Sequence, residues 1–222
     1  MAPRSIAESV YRRMRSDLLR GRILPGTRVT EQWAATRYRA SRTPVREACR
    51  RLAEEGLLTH RPRHGYASPV IDQGEIAELY DVRRALEVAS VRAAAAAPGD
   101  RPLLAQLRRA WEGEPPAPGE DAVYRDEAFH VGLARIGGNR SMTAFLEQIN
   151  ARIRLVRVHD FLDPQRVRWT ITQHLDLLDA VEARDADRAA ALVDAHIAES
   201  QRHAVDSAGA ALAALWTGAA AG

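Results

Sequence analysis

Between residues 75 and 208 the sequence reads as one helix after another, punctuated by proline and glycine. Apolar residues recur at three- and four-residue spacing over 75–97, 102–111, 120–136, 141–161, 164–184 and 186–208. Pro98-Gly99, the run from Pro115 to Gly119, Gly137-Gly138-Asn139 and Asp163-Pro164 separate these stretches. No alternating strand pattern of any length interrupts them. Amphipathic helices on such short connections bury their stripes against one another, which predicts an all-α bundle of about six helices. A linker is expected at 70–74 and a fraying Ala-rich tail at 209–222.

The first seventy residues differ in charge. All 32 basic residues of the chain are Arg. Residues 1–70 hold 15 Arg against 6 acids, a net of +9, while residues 71–222 hold 17 Arg against 23 acids, a net of −6. A basic segment joined to an acidic one suggests that the first meets a polyanion, although uneven surface charge without function has the same signature. The 46% hydrophobic and 27% charged composition argues against general disorder. No apolar run reaches the roughly 18 residues of a membrane span, and no signal-peptide core stands at the start, so a cytoplasmic protein with no membrane contact is expected. Cys49 is the single cysteine, which excludes an internal disulfide and a Cys-rich zinc finger; it reads as a buried apolar residue.

Within the basic segment, Ser5-Ile6-Ala7-Glu8 has the form of a capping box, followed by Ile6, Val10, Met14 and Leu18 at i+4 spacing on one helical face. Gly21 is expected to end that helix, and Leu24-Pro25-Gly26-Thr27 to form a turn. A second helix is predicted over 31–38. Thr43-Pro44 reads as an N-cap followed by proline at the first position of a third helix. That third helix carries Val45, Ala48, Cys49 and Leu52 on one side and the stripe Arg42, Arg46, Arg50 on another. Such a helix can enter a major groove, where Arg bonds guanine edges and Ser or Thr bonds phosphates. A solvated, salt-bridged helix fits the same positions, with Glu47, Glu54 and Glu55 close by. The basic stretch from His60 to Tyr66 then predicts a short hairpin, the wing of a winged helix-turn-helix domain over 1–69.

Leu24-Pro25-Gly26, Ser41-Arg42-Thr43-Pro44-Val45-Arg46-Glu47-Ala48, Arg51-Leu52, Glu55-Gly56-Leu57 and His64-Gly65 together resemble the winged-helix DNA-binding domain of the GntR regulators, over residues 5–69. The resemblance implies that Arg42 and Arg46 read or anchor DNA, supported by Ser41, Thr43 and a wing residue at His64 or Gly65. In many relatives an Arg on the second helix also touches DNA; Gln32 stands there in this chain and brings no charge.

In the acidic segment, Asp126 and His130 are spaced i, i+4 and project from one helical face, while His174 and His196 lie inside later helices. Three imidazoles and a carboxylate on three helices can converge on one cation in a bundle core. Helical His residues are also ordinary surface or hydrogen-bonded core residues, and His203, seven residues after His196, is a substitute ligand. A nitrogen and oxygen donor set suits zinc, nickel, manganese or iron, with zinc placed first.

Asp126-x-x-Phe129-His130, Gly138-Asn139, Gln173-His174, Asp187 and His196, with Arg83-x-x-Leu86-Glu87 before them, resemble the ligand-binding FCD domain of the FadR subfamily over residues 72–208. The resemblance implies a divalent metal held by Asp126, His130, His174 and His196, and points away from an acyl-CoA effector. It further implies a small carboxylate effector, which Arg83, Arg152 or Arg154 would pair; for Arg83 an i+4 salt bridge to Glu87 competes with that role. The chain is therefore expected to be a homodimeric transcription regulator, a repressor, on pseudo-palindromic double-stranded operator DNA. Two alternatives stand beside it: a sensor of the metal alone, and a metallohydrolase with an attached DNA reader. The second lacks an H-E-x-x-H helix, and Glu127 beside Asp126 points about 100° away from it. No enzyme is expected.

Overall fold

The computed structural model describes residues 5–19, 22–70, 72–97 and 101–219, without the side chains of Arg101 and of 209–219. The chain forms two compact units, residues 1–71 with 212–222 and residues 72–211.

In the first unit, α1 (Ile6–Leu19), α2 (Glu31–Tyr38) and α3 (Arg42–Glu54) pack beside a small antiparallel sheet. Its strands β1 (Arg28–Val29), β2 (Thr59–Arg61) and β3 (Gly65–Ala67) run in the order β1-β3-β2. The β2–β3 hairpin is the expected wing. Two-residue β1, pairing Arg28 with Ala67 and Val29 with Tyr66, is too short to leave any alternation in the sequence. The predicted capping box forms by half: the Glu8 N–H donates to Ser5 Oγ (3.2 Å), while the Glu8 carboxylate turns to Arg12 (2.6 Å) and Arg51 (2.8 Å). Val10, Met14 and Leu18 are buried, but Ile6 is 67% exposed and Ala7 takes the inner position. Strict i+4 spacing drifts about 40° per step around a 3.6-residue helix, so the fourth member of the stripe leaves the face.

The third helix begins earlier than the sequence suggests. Ser41 is its N-cap, without a side-chain cap bond, and Thr43-Pro44 lies inside the first turn, where a missing N–H costs no intrahelical bond. The Leu24–Thr27 turn closes through the Thr27 N–H to the Leu24 carbonyl (3.1 Å), with Gly26 at φ +76°. Gly21, the expected end of α1, lies outside the described residues. Val45, Ala48, Cys49 and Leu52 are all buried, and burial pushes the Cys49 thiol up to about 12, so it stays neutral and inert.

The second unit is the expected six-helix bundle: α4 (Gln73–Ala96), α5 (Arg101–Glu112), α6 (Glu120–Ile136), α7 (Arg140–Asp160), α8 (Pro164–Glu182) and α9 (Ala186–Ala219). Polar caps start the helices where the sequence breaks: Asn139 accepts from the Ser141 and Met142 N–H groups, and Asp163 from that of Gln165. The expected linker is shortened, because Asp72 caps α4 through the Gly74 and Glu75 N–H groups and draws residues 73–74 into the helix. At the other end α9 continues past residue 208, through alanines that favour helix more than any other residue. The Pro98-Gly99 break lies outside the described residues. Helix α6 packs against α4, α5 and α7. It approaches α5 closely at Gly132, where an added Cβ would meet Leu107 Cδ2 at 2.8 Å. Helix α9 is tied to α4 by Arg84–Asp194, by Arg92–Asp187 (2.6 Å) and by the Gln201 amide donating to the Ala77 carbonyl (2.9 Å).

Candidate metal centre and nucleic-acid interface

In the first unit, Ser41, Arg42, Thr43 and Arg46 are exposed at the start of α3, and His64 is exposed at the tip of the wing. Gly65 is half-buried; its φ of +85° and the Val29 carbonyl 3.1 Å from where a Cβ would stand give it a structural reason to be glycine. The two principal arginines already have partners on α2. Arg46 forms a bidentate pair with Glu31 (2.7 and 3.2 Å), and Arg42 donates twice to Gln32 Oε1 (2.6 and 3.2 Å). Gln32 therefore orients Arg42, a role its lack of charge does not prevent. Arg50 pairs with Glu54 on its own helix. These exposed contacts are weak and exchangeable, so the guanidinium forks are free to move to guanine edges or phosphates.

In the bundle, Asp126 and His130 on α6 meet His174 on α8 and His196 on α9. All four are buried, and one ligand atom from each lies within 4.8 Å of the others. His174 Nε2 is 3.5 Å from Asp126 Oδ1 and His130 Nε2 is 3.6 Å from Asp126 Oδ2. Aromatic rings set the imidazole planes: Phe129 stacks on His174 (3.8 Å between centroids, 9°), Trp111 meets it edge-on, and Trp169 stacks on His196 (5.1 Å, 7°).

The donor set fits a divalent metal ion. Among the described residues, both ring nitrogens of His174, His130 Nε2 and His196 Nδ1 are buried without a hydrogen-bond partner. Each such orphan costs about 1–3 kcal/mol unless another group compensates it. Burial, reinforced by neighbouring positive charge, holds His174 and His196 well below the usual histidine range, so both are neutral and carry lone pairs, as metal ligation requires. Burial alone would raise the Asp126 carboxyl, but Arg157 and His130 outweigh it and keep the group ionised far below its ordinary value.

A second layer surrounds these ligands. Glu87 lies against His130 Nδ1 and pairs with Arg83 Nε (2.6 Å), all of them buried. Arg83 and His130 overcome the burial that would raise Glu87, holding it at about 2. Glu87 and Asp126 in turn raise His130 above its ordinary value, against a burial effect of opposite sign. Arg83 forms the expected i+4 bridge through Nε, while among the described residues its Nη2 is buried without a hydrogen bond, 3.8 Å from Asp126.

Arg152 and Arg154 are not brought to the cluster. Arg152 is exposed and pairs with Glu75. Arg154, largely buried, grips the buried Glu127 of α6 (2.8–3.2 Å) instead. His203 is half-exposed and pairs with Glu199 (3.2 Å), away from the substitute-ligand role. Sequence reasoning missed Arg157, buried and bonded to Asp126, although it shares the buried face of α7 with Asn150 and Ile153 at i, i+3, i+7. It also missed the walls supplied by Trp111 and Trp169.

Residues 6–67 match the family described as bacterial regulatory proteins, gntR family, and residues 78–199 match the FCD domain. The Nta operon transcriptional regulator of Aminobacter aminovorans is 33% identical over 183 residues, spanning 81% of this chain and 83% of that protein. The HTH-type transcriptional repressor RspR of Escherichia coli K12 is 30% identical over 200 residues, spanning 87% and 86%. Among solved structures, that of Lar, which controls expression of the Listeria monocytogenes agr system, has a TM-score of 0.67 at 16% identity, covering 92% of this chain and 98% of that one, a likeness of fold.

Proposed function

The chain belongs to the gntR family of bacterial regulatory proteins and is a DNA-binding transcription regulator with an FCD domain, not an enzyme; on that premise we propose that a small organic acid, bound beside a divalent metal ion in the bundle, sets its affinity for operator DNA. The observation that carries this reading is the set of buried ring nitrogens around Asp126 with no hydrogen-bond partner among the described residues.

Asp126, His130, His174 and His196 would hold the ion, zinc before nickel, manganese or iron. Bound there, it would supply a positive site for a carboxylate. Glu87 keeps the His130 ring oriented through Nδ1, so that Nε2 faces the other ligands. Arg157 neutralises Asp126 and keeps its carboxylate in place. Arg83 Nη2 and Arg157 Nη1, both buried and without hydrogen-bond partners among the described residues, are donors that a small carboxylate would satisfy. In the free protein Glu127 stands 3.8 Å from Arg157 and is anchored by Arg154, which limits the role of Arg154 to the edge of this site.

In the reader, Arg42 and Arg46 take base edges or phosphates, with Ser41, Thr43 and the wing residues His64 and Gly65 along the backbone. Two copies on a pseudo-palindromic operator, in the cytoplasm, complete the reading. The effector binds the DNA-competent and DNA-incompetent states unequally and releases the repressor, as the repressor name of one relative supports.

The test is a thermal-shift screen of small mono- and dicarboxylates on metal-loaded protein, followed by operator binding with each hit. A hit that raises the unfolding midpoint only when metal is present, and weakens operator binding, is the expected result. Operator affinity that follows added metal with no organic acid would favour the metal-sensing alternative. Equal carboxylate response with and without metal overturns the proposed site.

A further inference from the structure

The positive charge of the first unit is not concentrated on its recognition helix. Arg46 and Arg50 each have a carboxylate partner, Glu31 and Glu54. A second basic cluster stands where α1 meets the end of α2, around a hollow of about 410 Å³ lined by Arg12, Arg13, Ser16, Asp17, Arg22 and Tyr38. Asp17 serves Arg22 (2.8 Å), Arg37 (3.2 Å) and the Tyr38 hydroxyl (2.9 Å) at once. Arg12 shares Glu8 with Arg51. Arg13 meets no carboxylate among the described residues. It donates to the Tyr38 carbonyl (3.1 Å) and lies 5.3 Å over the Tyr38 ring.

We propose that this hollow is a phosphate site, separate from the arginines of α3, that takes a phosphodiester of the duplex backbone. Arg12, Arg13 and Arg22 line it with Asp17 as its carboxylate, which Arg37 also draws on, so an anion enters a field that is already positive. Arg13 is held by its ring stack and its carbonyl bond, which reduces the side-chain freedom lost when its remaining donors meet phosphate oxygens. Ser16 Oγ accepts from Arg22 Nη2 (3.2 Å), which leaves its own hydrogen to donate. A phosphate grip of this kind adds affinity and register without reading sequence.

Because such a contact is independent of sequence, a mixed-sequence duplex of about 30 base pairs suffices as probe. Fluorescence anisotropy with the full chain between 50 and 200 mM KCl gives the slope of log K against log salt. Arg13→Gln is expected to flatten that slope by about 0.9, which shrinks the loss of affinity over a fourfold salt range by about 3.5-fold. Arg22→Gln, a second exposed substitution, should act in the same direction. Unchanged unfolding midpoints establish that both variants fold. A separate arm adds millimolar sodium pyrophosphate. If the slope stays unchanged but pyrophosphate stabilises the wild type and not Arg13→Gln, the site takes free phosphate and the duplex assignment is overturned. If the slope and the pyrophosphate response are both indifferent to Arg13 and Arg22, the hollow is no phosphate site.

Discussion

The two units treat their working side chains in opposite ways. In the reader, Arg42 and Arg46 stand in solvent, each in a contact with α2 that solvent weakens and DNA can replace. In the bundle, His130, His174 and His196 are buried among rings and guanidiniums, with nitrogens that meet no hydrogen-bond partner among the described residues. A surface that trades partners needs no ligand to be stable, whereas orphaned donors and acceptors in a core cost free energy that a bound group would recover. The reader should therefore fold, and bind duplex in the absence of effector, with or without metal in the bundle, while the bundle should depend on the proposed ion.

The sharpest way to break that contrast is His174→Ala. It should reduce bound metal below stoichiometric levels by elemental analysis and abolish any carboxylate-induced thermal shift, with duplex binding kept within about twofold. Chelation of the wild-type protein should lower the unfolding midpoint of the bundle, since an ion at about 1,000 times its dissociation constant adds about 4 kcal/mol. Metal retained at full stoichiometry in His174→Ala would remove the buried side of the comparison. Glu87→Gln sharpens it further: calorimetric metal affinity should fall about 10- to 100-fold although Glu87 is not itself a ligand. Arg46→Ala should weaken operator binding about 10- to 100-fold relative to a scrambled duplex, with metal content unchanged. Unaltered operator preference would refute the groove contact.

The smallest effect concerns Asp17. Burial raises its carboxyl, but the Tyr38 hydroxyl and Arg37 outweigh that and hold it below the ordinary value. A depressed carboxylate contributes stability above its unfolded value, near pH 4, and loses it as pH falls through the folded value. Between pH 6 and pH 3, Asp17→Asn should flatten the decline of the reader's unfolding midpoint, by less than about 1 kcal/mol in stability. An identical decline in both proteins would show that Asp17 is uncoupled from folding.

Much of this organisation was legible residue by residue. Proline, glycine and Asx caps marked the bundle helices to within a few residues, because capping is a local interaction: Asn139 and Asp163 satisfy N–H groups two or three positions away. Val10, Met14 and Leu18 were legible from periodicity, but Ile6 was not, since its exposure depends on where a face ends. The convergence of Asp126, His130, His174 and His196 was legible from spacing together with family resemblance. Of the expected arginines on α7, Arg152 faces solvent and Arg154 is largely buried but spent on Glu127, while Arg157 is the one bonded to Asp126. An apolar-face count would have found it, had charge not argued for the surface. Nothing local announces that Trp111 and Trp169 close on His174 and His196, because the contacts join three different helices.

Order along the chain was enough to establish two units of opposite charge, the helices in each, and which residue types were available to grip a duplex or a cation. Those properties depend on neighbours three or four positions apart. Packing alone decided which arginines were buried, which carboxylate met which guanidinium, and which imidazole nitrogens were left without a partner. These outcomes depend on groups brought together from different helices, where exclusion of water makes each unmatched charge or lone pair expensive enough to select one arrangement.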